Sequence, residues 1–63
     1  MLNLSDLIIQ HPEVESFRDL VTLVQQRAAE GEIHLRFDIK PDYVDTPRNW
    51  EWQLEAAFSR AAR

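Results

Sequence analysis

The stretch Glu32-Ile33-His34-Leu35-Arg36-Phe37-Asp38-Ile39-Lys40 alternates polar and apolar side chains without a break. Successive side chains of an extended segment point to opposite faces. The pattern therefore predicts a β-strand over 32–40, with Ile33, Leu35, Phe37 and Ile39 on one face and Glu32, His34, Arg36, Asp38 and Lys40 on the other. No other stretch gives a strand signal. A strand's backbone donors and acceptors need a ladder partner, and even an isolated two-stranded hairpin is marginal in water. With no second strand readable in the chain, the expected partner is the same segment of a second copy.

Outward from the strand on its C-terminal side, Pro41 ends the ladder and Asp42 to Thr46 form a loop containing Tyr43. Thr46 or Asp45 can cap a final helix over 46–62, with Pro47 at its first position, where a missing N–H costs nothing. Trp50, Leu54, Ala57, Phe58 and Ala61 share one side of that helix. Trp52 lies about 200° around from Trp50, beside Glu55, Ala56 and Ser59, on the face an amphipathic helix turns to solvent.

On the N-terminal side, Gly31 follows a helical pattern and suits the left-handed conformation of a helix C-cap. That helix is expected from Pro12 to about Glu30, with Val14, Phe17, Val21, Val24 and Ala28 recurring at helical spacing and Leu20 and Leu23 widening the stripe. Before it, Asn3 or Ser5 can cap a short helical turn through Leu7, Ile8 and Ile9 that Pro12 closes. The chain is thus expected to be one domain over 1–63: helical over 3–30 with a break near 11–12, strand over 32–40, helix over 46–62.

A 63-residue domain buries only about 60% of its unfolded surface and is marginal without a staple or a partner. The chain has no cysteine and no metal-binding motif, so neither disulfide nor metal supplies the staple, and oligomerisation is the remaining device. The expected fold class is accordingly α+β, a helix-strand-helix protomer in an intertwined homodimer joined by a two-stranded antiparallel inter-subunit ribbon. Its interface would hold Ile33, Leu35, Arg36, Phe37, Asp38 and Ile39. Centring the ribbon on Arg36 sets Glu32 opposite Lys40 and His34 opposite Asp38. Centring it on Phe37 pairs Arg36 with Asp38 and sets His34 against Lys40, and centring on Leu35 opposes Glu32 to Asp38.

The net charge of −4 argues against a broad footprint for nucleic acid, which needs clustered Lys and Arg. Charge is uneven, however: Asp6, Glu13, Glu15, Asp19 and Glu30 outweigh Arg18 and Arg27 up to Gly31, whereas Arg48, Arg60 and Arg63 outweigh Glu51 and Glu55 from Pro47 on. A dimeric ribbon carrying Arg36 and Lys40, with the arginines of the last helix, gives the alternative reading of a DNA-binding transcriptional regulator. Against it, Glu32 and Asp38 share the ribbon's polar face, and the strand follows the long helix where ribbon-helix-helix regulators begin with it. No serine, threonine, lysine or tyrosine stands in a nucleophile or phosphate-loop motif, and His11 and His34 lack metal-ligand spacing. No catalytic residue, metal ligand or cofactor is therefore assigned, and the protein is expected not to be an enzyme. No apolar run reaches membrane-spanning length and no secretory signal is read, so a cytoplasmic location is expected.

Protein binding fits the remaining features. Trp, Tyr and Arg are enriched at the energetic centres of interfaces, and Tyr43, Arg48, Trp50 and Trp52 fall close together around one loop and helix start. A tryptophan on a polar helix face is unusual on a monomer, so Trp52 is expected either to pack on the dimer mate or to form a partner patch. In its small size, acidity, lack of cysteine, long helix, single strand and aromatic cluster, the chain resembles the small early proteins of bacteriophages that bind and block a host protein, such as the quorum-sensing anti-activators. The resemblance covers layout and carries no family site. It implies a dimer that sequesters a larger host target such as a transcription factor. The expected function is a small non-enzymatic dimeric protein that binds and modulates, by inhibition, a larger protein partner.

Overall fold

A computed structural model describes residues 2–62 as three helices and a minimal sheet, an α+β arrangement. In chain order these are β1 (Leu2–Asn3), α1 (Leu4–Gln10), α2 (Phe17–Ala29), β2 (Leu35–Arg36) and α3 (Trp50–Ala61). One apolar cluster joins Leu2 of β1, Leu4 and Leu7 of α1, Phe17, Leu20, Val24 and Ala28 of α2, and Leu54 and Phe58 of α3. Leu35, Phe37, Tyr43 and Trp50 pack against it from the strand and loop side. The α2 positions follow the 3.6-residue period expected of one helix face, and α2 packs chiefly on α3.

The strand finds its partner inside the chain. Leu2 pairs with Leu35 and Asn3 with Arg36 in parallel register, and the Leu2 N–H donates to the His34 carbonyl at 2.9 Å. This overturns the expectation that the chain offers no second strand, and the pair is parallel where an antiparallel ribbon between copies was expected. A two-residue strand shows no alternation, so β1 leaves no periodic signal to read. It also limits the ladder, because the chain turns into α1 at Leu4 and leaves β2 only two residues to pair, far short of 32–40. The apolar face predicted for the strand is divided accordingly. Leu35 and Phe37 are half-buried against the core, whereas Ile33 is 73% and Ile39 42% exposed.

Two aspartates explain the helix starts. Asn3, at the N-cap of α1, accepts no amide with its side chain, which donates to Asp6 Oδ2 at 3.2 Å. The orphan Ser5 N–H donates at 3.0 Å to Asp38 Oδ1, and the Ser5 hydroxyl donates to Asp38 Oδ2. Asp38, expected on a free polar strand face at a dimer seam, is thus a cap for α1 supplied from across the sheet.

Asp45 does the same for α2. Its Oδ1 accepts the Phe17 N–H at 2.6 Å and its Oδ2 the Arg18 N–H at 3.3 Å, while Ser16, the N-cap, accepts the Asp19 N–H at 3.1 Å. This concentration of acceptors starts the helix at Phe17, five residues after the expected start at Pro12. The intervening residues form a turn in which the Val14 N–H reaches the His11 carbonyl and His11 Nδ1 meets Glu13 Oε2 at 2.8 Å. Gly31 closes α2 as expected, with φ +114° and its N–H on the Ala28 carbonyl.

The last helix starts later than 46 because its expected caps are used elsewhere. Asp45 serves α2, and Thr46 Oγ1 accepts the Tyr43 N–H at 3.0 Å while its own N–H returns to the Tyr43 carbonyl at 3.1 Å. Asn49 is left as the N-cap without a side-chain bond to a helix amide; its Oδ1 accepts from Gln53 Nε2 at 2.9 Å.

Candidate protein-binding surface

Helix α3 has two faces of different character. Leu54, Ala57 and Phe58 are buried, with Trp50 and Ala61 half-buried beside them, as the spacing implied. Trp50 meets Phe37 edge-to-face, with ring centroids 5.6 Å apart and planes at 82°, a favourable geometry for two aromatic quadrupoles. Tyr43 also packs on the core, and burial pushes its hydroxyl pKa up. Both aromatics are therefore half-committed to holding the loop and the start of α3 on the body of the protein.

Trp52 is not so committed. It is 65% exposed and borders a groove of about 260 Å³ between α2 and α3, shared with Val21 and Gln25 of α2 and Gln53, Ala56, Ala57 and Arg60 of α3. Trp52, Ala56 and Arg60 are one helical turn apart in succession, so an indole, a small residue and a guanidinium form a stripe along the groove's edge. Arg48 is exposed in the turn before α3 and does not line this groove. Of the four residues singled out for partner binding, the fold thus sets Trp52 over an open groove, packs Tyr43 and Trp50 on the core, and leaves Arg48 on the exposed turn.

Comparison of the chain with family models, with curated proteins and with solved structures gives no match. Val21 was expected in the apolar stripe of the long helix, and neither it nor Gln25 was expected at a partner surface. Their spacing of four places them on one face of α2, but only the packing of α2 on α3 sets that face beside Trp52.

The residues expected at a strand interface lie away from this groove. Ile33, Leu35 and Phe37 line a second, larger groove of about 430 Å³ whose opposite wall is Phe58, Ser59 and Ala62 with Glu55. Arg36 is exposed, and Asp38 is bound to Ser5. The Ser5 hydroxyl and then its N–H hold the Asp38 carboxyl below its usual pKa, and the Phe17 N–H does the same, most strongly, for Asp45. Four side-chain hydroxyls, those of Ser5, Ser16, Thr22 and Thr46, are engaged with caps, helix carbonyls or turns. Among the described residues no group of three metal-ligating side chains comes together, and no helix is long and apolar enough to cross a membrane.

Proposed function

We propose that this protein is a small non-enzymatic homodimer that binds a larger protein and modulates it, with Trp52 as the anchor of the contact. The observation that carries this is the placement of a large indole, 65% exposed, at the rim of an open groove bounded by Ala56 and Arg60. Tryptophan and arginine dominate the energetic centres of protein interfaces, and a small residue between them leaves room for a partner side chain. The engagement of hydroxyls and carboxylates in capping supports binding over catalysis, since those groups are spent on the fold. Inhibition of a cytoplasmic regulator, as in the phage anti-activators that the layout resembles, is the mode of action proposed.

Affinity capture from host cells with the wild-type chain and with Trp52→Ala, followed by mass spectrometry, tests this. The expected result is a partner retained by the wild type and lost by the variant, with circular dichroism of the two chains superimposable. Retention should also weaken only mildly between low and high salt, because an aromatic-centred contact releases few counterions, whereas the DNA-binding alternative predicts a steep loss. The same proteins captured by both chains would defeat the proposal.

A further inference from the structure

In a parallel ladder each residue directs its N–H and C=O to one side, and consecutive residues alternate. The bond from Leu2 N–H to the His34 carbonyl, with the bridge Leu2–Leu35, fixes which side is which. His34 and Arg36 face β1, and Leu35 faces the opposite edge, where its N–H and C=O find no protein partner among the described residues. Beside that edge lies the larger groove, walled by Ile33, Leu35 and Phe37 on one side and Phe58 on the other. At the two ends of the same stretch, Ile33 and Ile39 stand 73% and 42% exposed. The free edge of β2 is only two residues long, but the uncovered isoleucines on either side of it give a second strand an apolar surface to cover as it pairs.

We infer that a second copy of this chain docks there, β2 against β2 in antiparallel sense about a dyad at Arg36, so that the second copy's Ile39 closes over Ile33 at the mouth of the groove. This rests on the homodimer proposed above and specifies its seam. Three alignments have suitable backbone direction, and coverage of the isoleucines separates them. About Arg36, Ile33 faces Ile39 and Leu35 faces Phe37, while Glu32 meets Lys40 and His34 meets Asp38. About Phe37, Ile33 would face Pro41, which is fully buried in its own subunit, and would stay bare. About Leu35, Ile39 would face Gly31, and Glu32 would oppose Asp38. The Arg36 alignment alone covers both isoleucines, and it sets Glu32 against Lys40, while Asp38 stays on Ser5 and like charges meet only at the Arg36 pair on the dyad. The resulting sheet runs β1-β2-β2-β1, parallel within each subunit and antiparallel at the seam.

The chain has no cysteine, so single cysteines report the alignment cleanly. Residues facing each other at a non-hydrogen-bonded antiparallel pair have Cα atoms about 4.5 Å apart, within disulfide reach. Arg36→Cys is expected to give a disulfide-linked dimer on mild oxidation, and His34→Cys, whose opposite is Asp38, is not. Sedimentation of the untagged wild type is expected to show a dimer at micromolar concentration. Ile33→Lys, and separately Ile39→Lys, are expected to raise its dissociation constant about a hundredfold, because each change strikes the symmetric seam twice, with circular dichroism unchanged. A wild-type monomer overturns both the homodimer and the seam, including the case where another protein's extended segment occupies the edge. A dimer that survives Ile33→Lys, or that cross-links through His34→Cys, overturns the seam and leaves the homodimer standing.

Discussion

Helices α2 and α3 are nearly equal in length, 13 and 12 residues, and pack on each other, yet their ends are made differently. The start of α2 has Ser16 and both oxygens of Asp45 on its amides, and its end has Gly31 in the left-handed region. The start of α3 has Asn49, which gives no side chain to a helix amide, and its end runs out at Ala62 in extended conformation. The first helix is chemically bounded on both sides, while the second is held by the side it buries and carries Trp52 on the side it does not. Stability and recognition are thus assigned to different helices, a division that substitutions can test.

The largest effect should come from the contact the two helices share. Leu20→Ala on α2 and Leu54→Ala on α3, both at fully buried positions, are each expected to cost about 2–5 kcal/mol in denaturant unfolding. A marked inequality between them would show that one helix contributes little to the common core. At the helix starts the two should diverge. Ser16→Ala is expected to lose about 1 kcal/mol and Asn49→Ala only a few tenths, because Ser16 satisfies a helix amide and Asn49 does not.

Acid should distinguish the helices as well. The Asp45 carboxyl titrates below its usual value of 3.8 in the folded chain because the Phe17 and Arg18 amides favour its charged form. Its contribution is therefore complete above the unfolded pKa and disappears as pH falls through the folded one. The melting temperature of Asp45→Asn is expected to lie below that of the wild type at neutral pH, and the gap is expected to close in acid. A gap independent of pH would mean the carboxylate charge is not what caps α2. Trp52→Ala should be as mild as Asn49→Ala, within about 0.5 kcal/mol of wild type, since the indole is mostly in solvent.

How far the sequence could be read depended on separation along the chain. The buried faces of α2 and α3 were legible because each repeats over three turns or more, and the exposure of Trp52 followed from its angle to Trp50. What could not be read was supplied from a distance. Asp38 caps Ser5 and Asp45 caps Phe17 from 33 and 28 residues away, and neither aspartate carries a local mark that separates such a role from an ordinary turn residue. The strand was over-extended for the same reason: its nine-residue alternation is real, but its length is set by Leu2–Asn3, too short to have a pattern. Of the residues around the candidate groove, Trp52 alone was named for partner binding from the sequence; Val21 and Gln25 of α2, and Arg60 beside them, needed the packing to be brought together.

The distant caps also bear on the order in which the protein can form. Synthesis delivers α1 and α2 before Asp38 and Asp45 exist, so both helices emerge with amides that only water can satisfy, and α1 is only seven residues long. Helices that short do not persist by themselves, and the ladder that ties Leu2 to Leu35 is equally late. The first half of the chain is therefore expected to hold only nascent helix, with Ser16 as the one local cap of α2, until the loop at Asp45 arrives. Folding is then expected to be one cooperative event in which the second half completes the first.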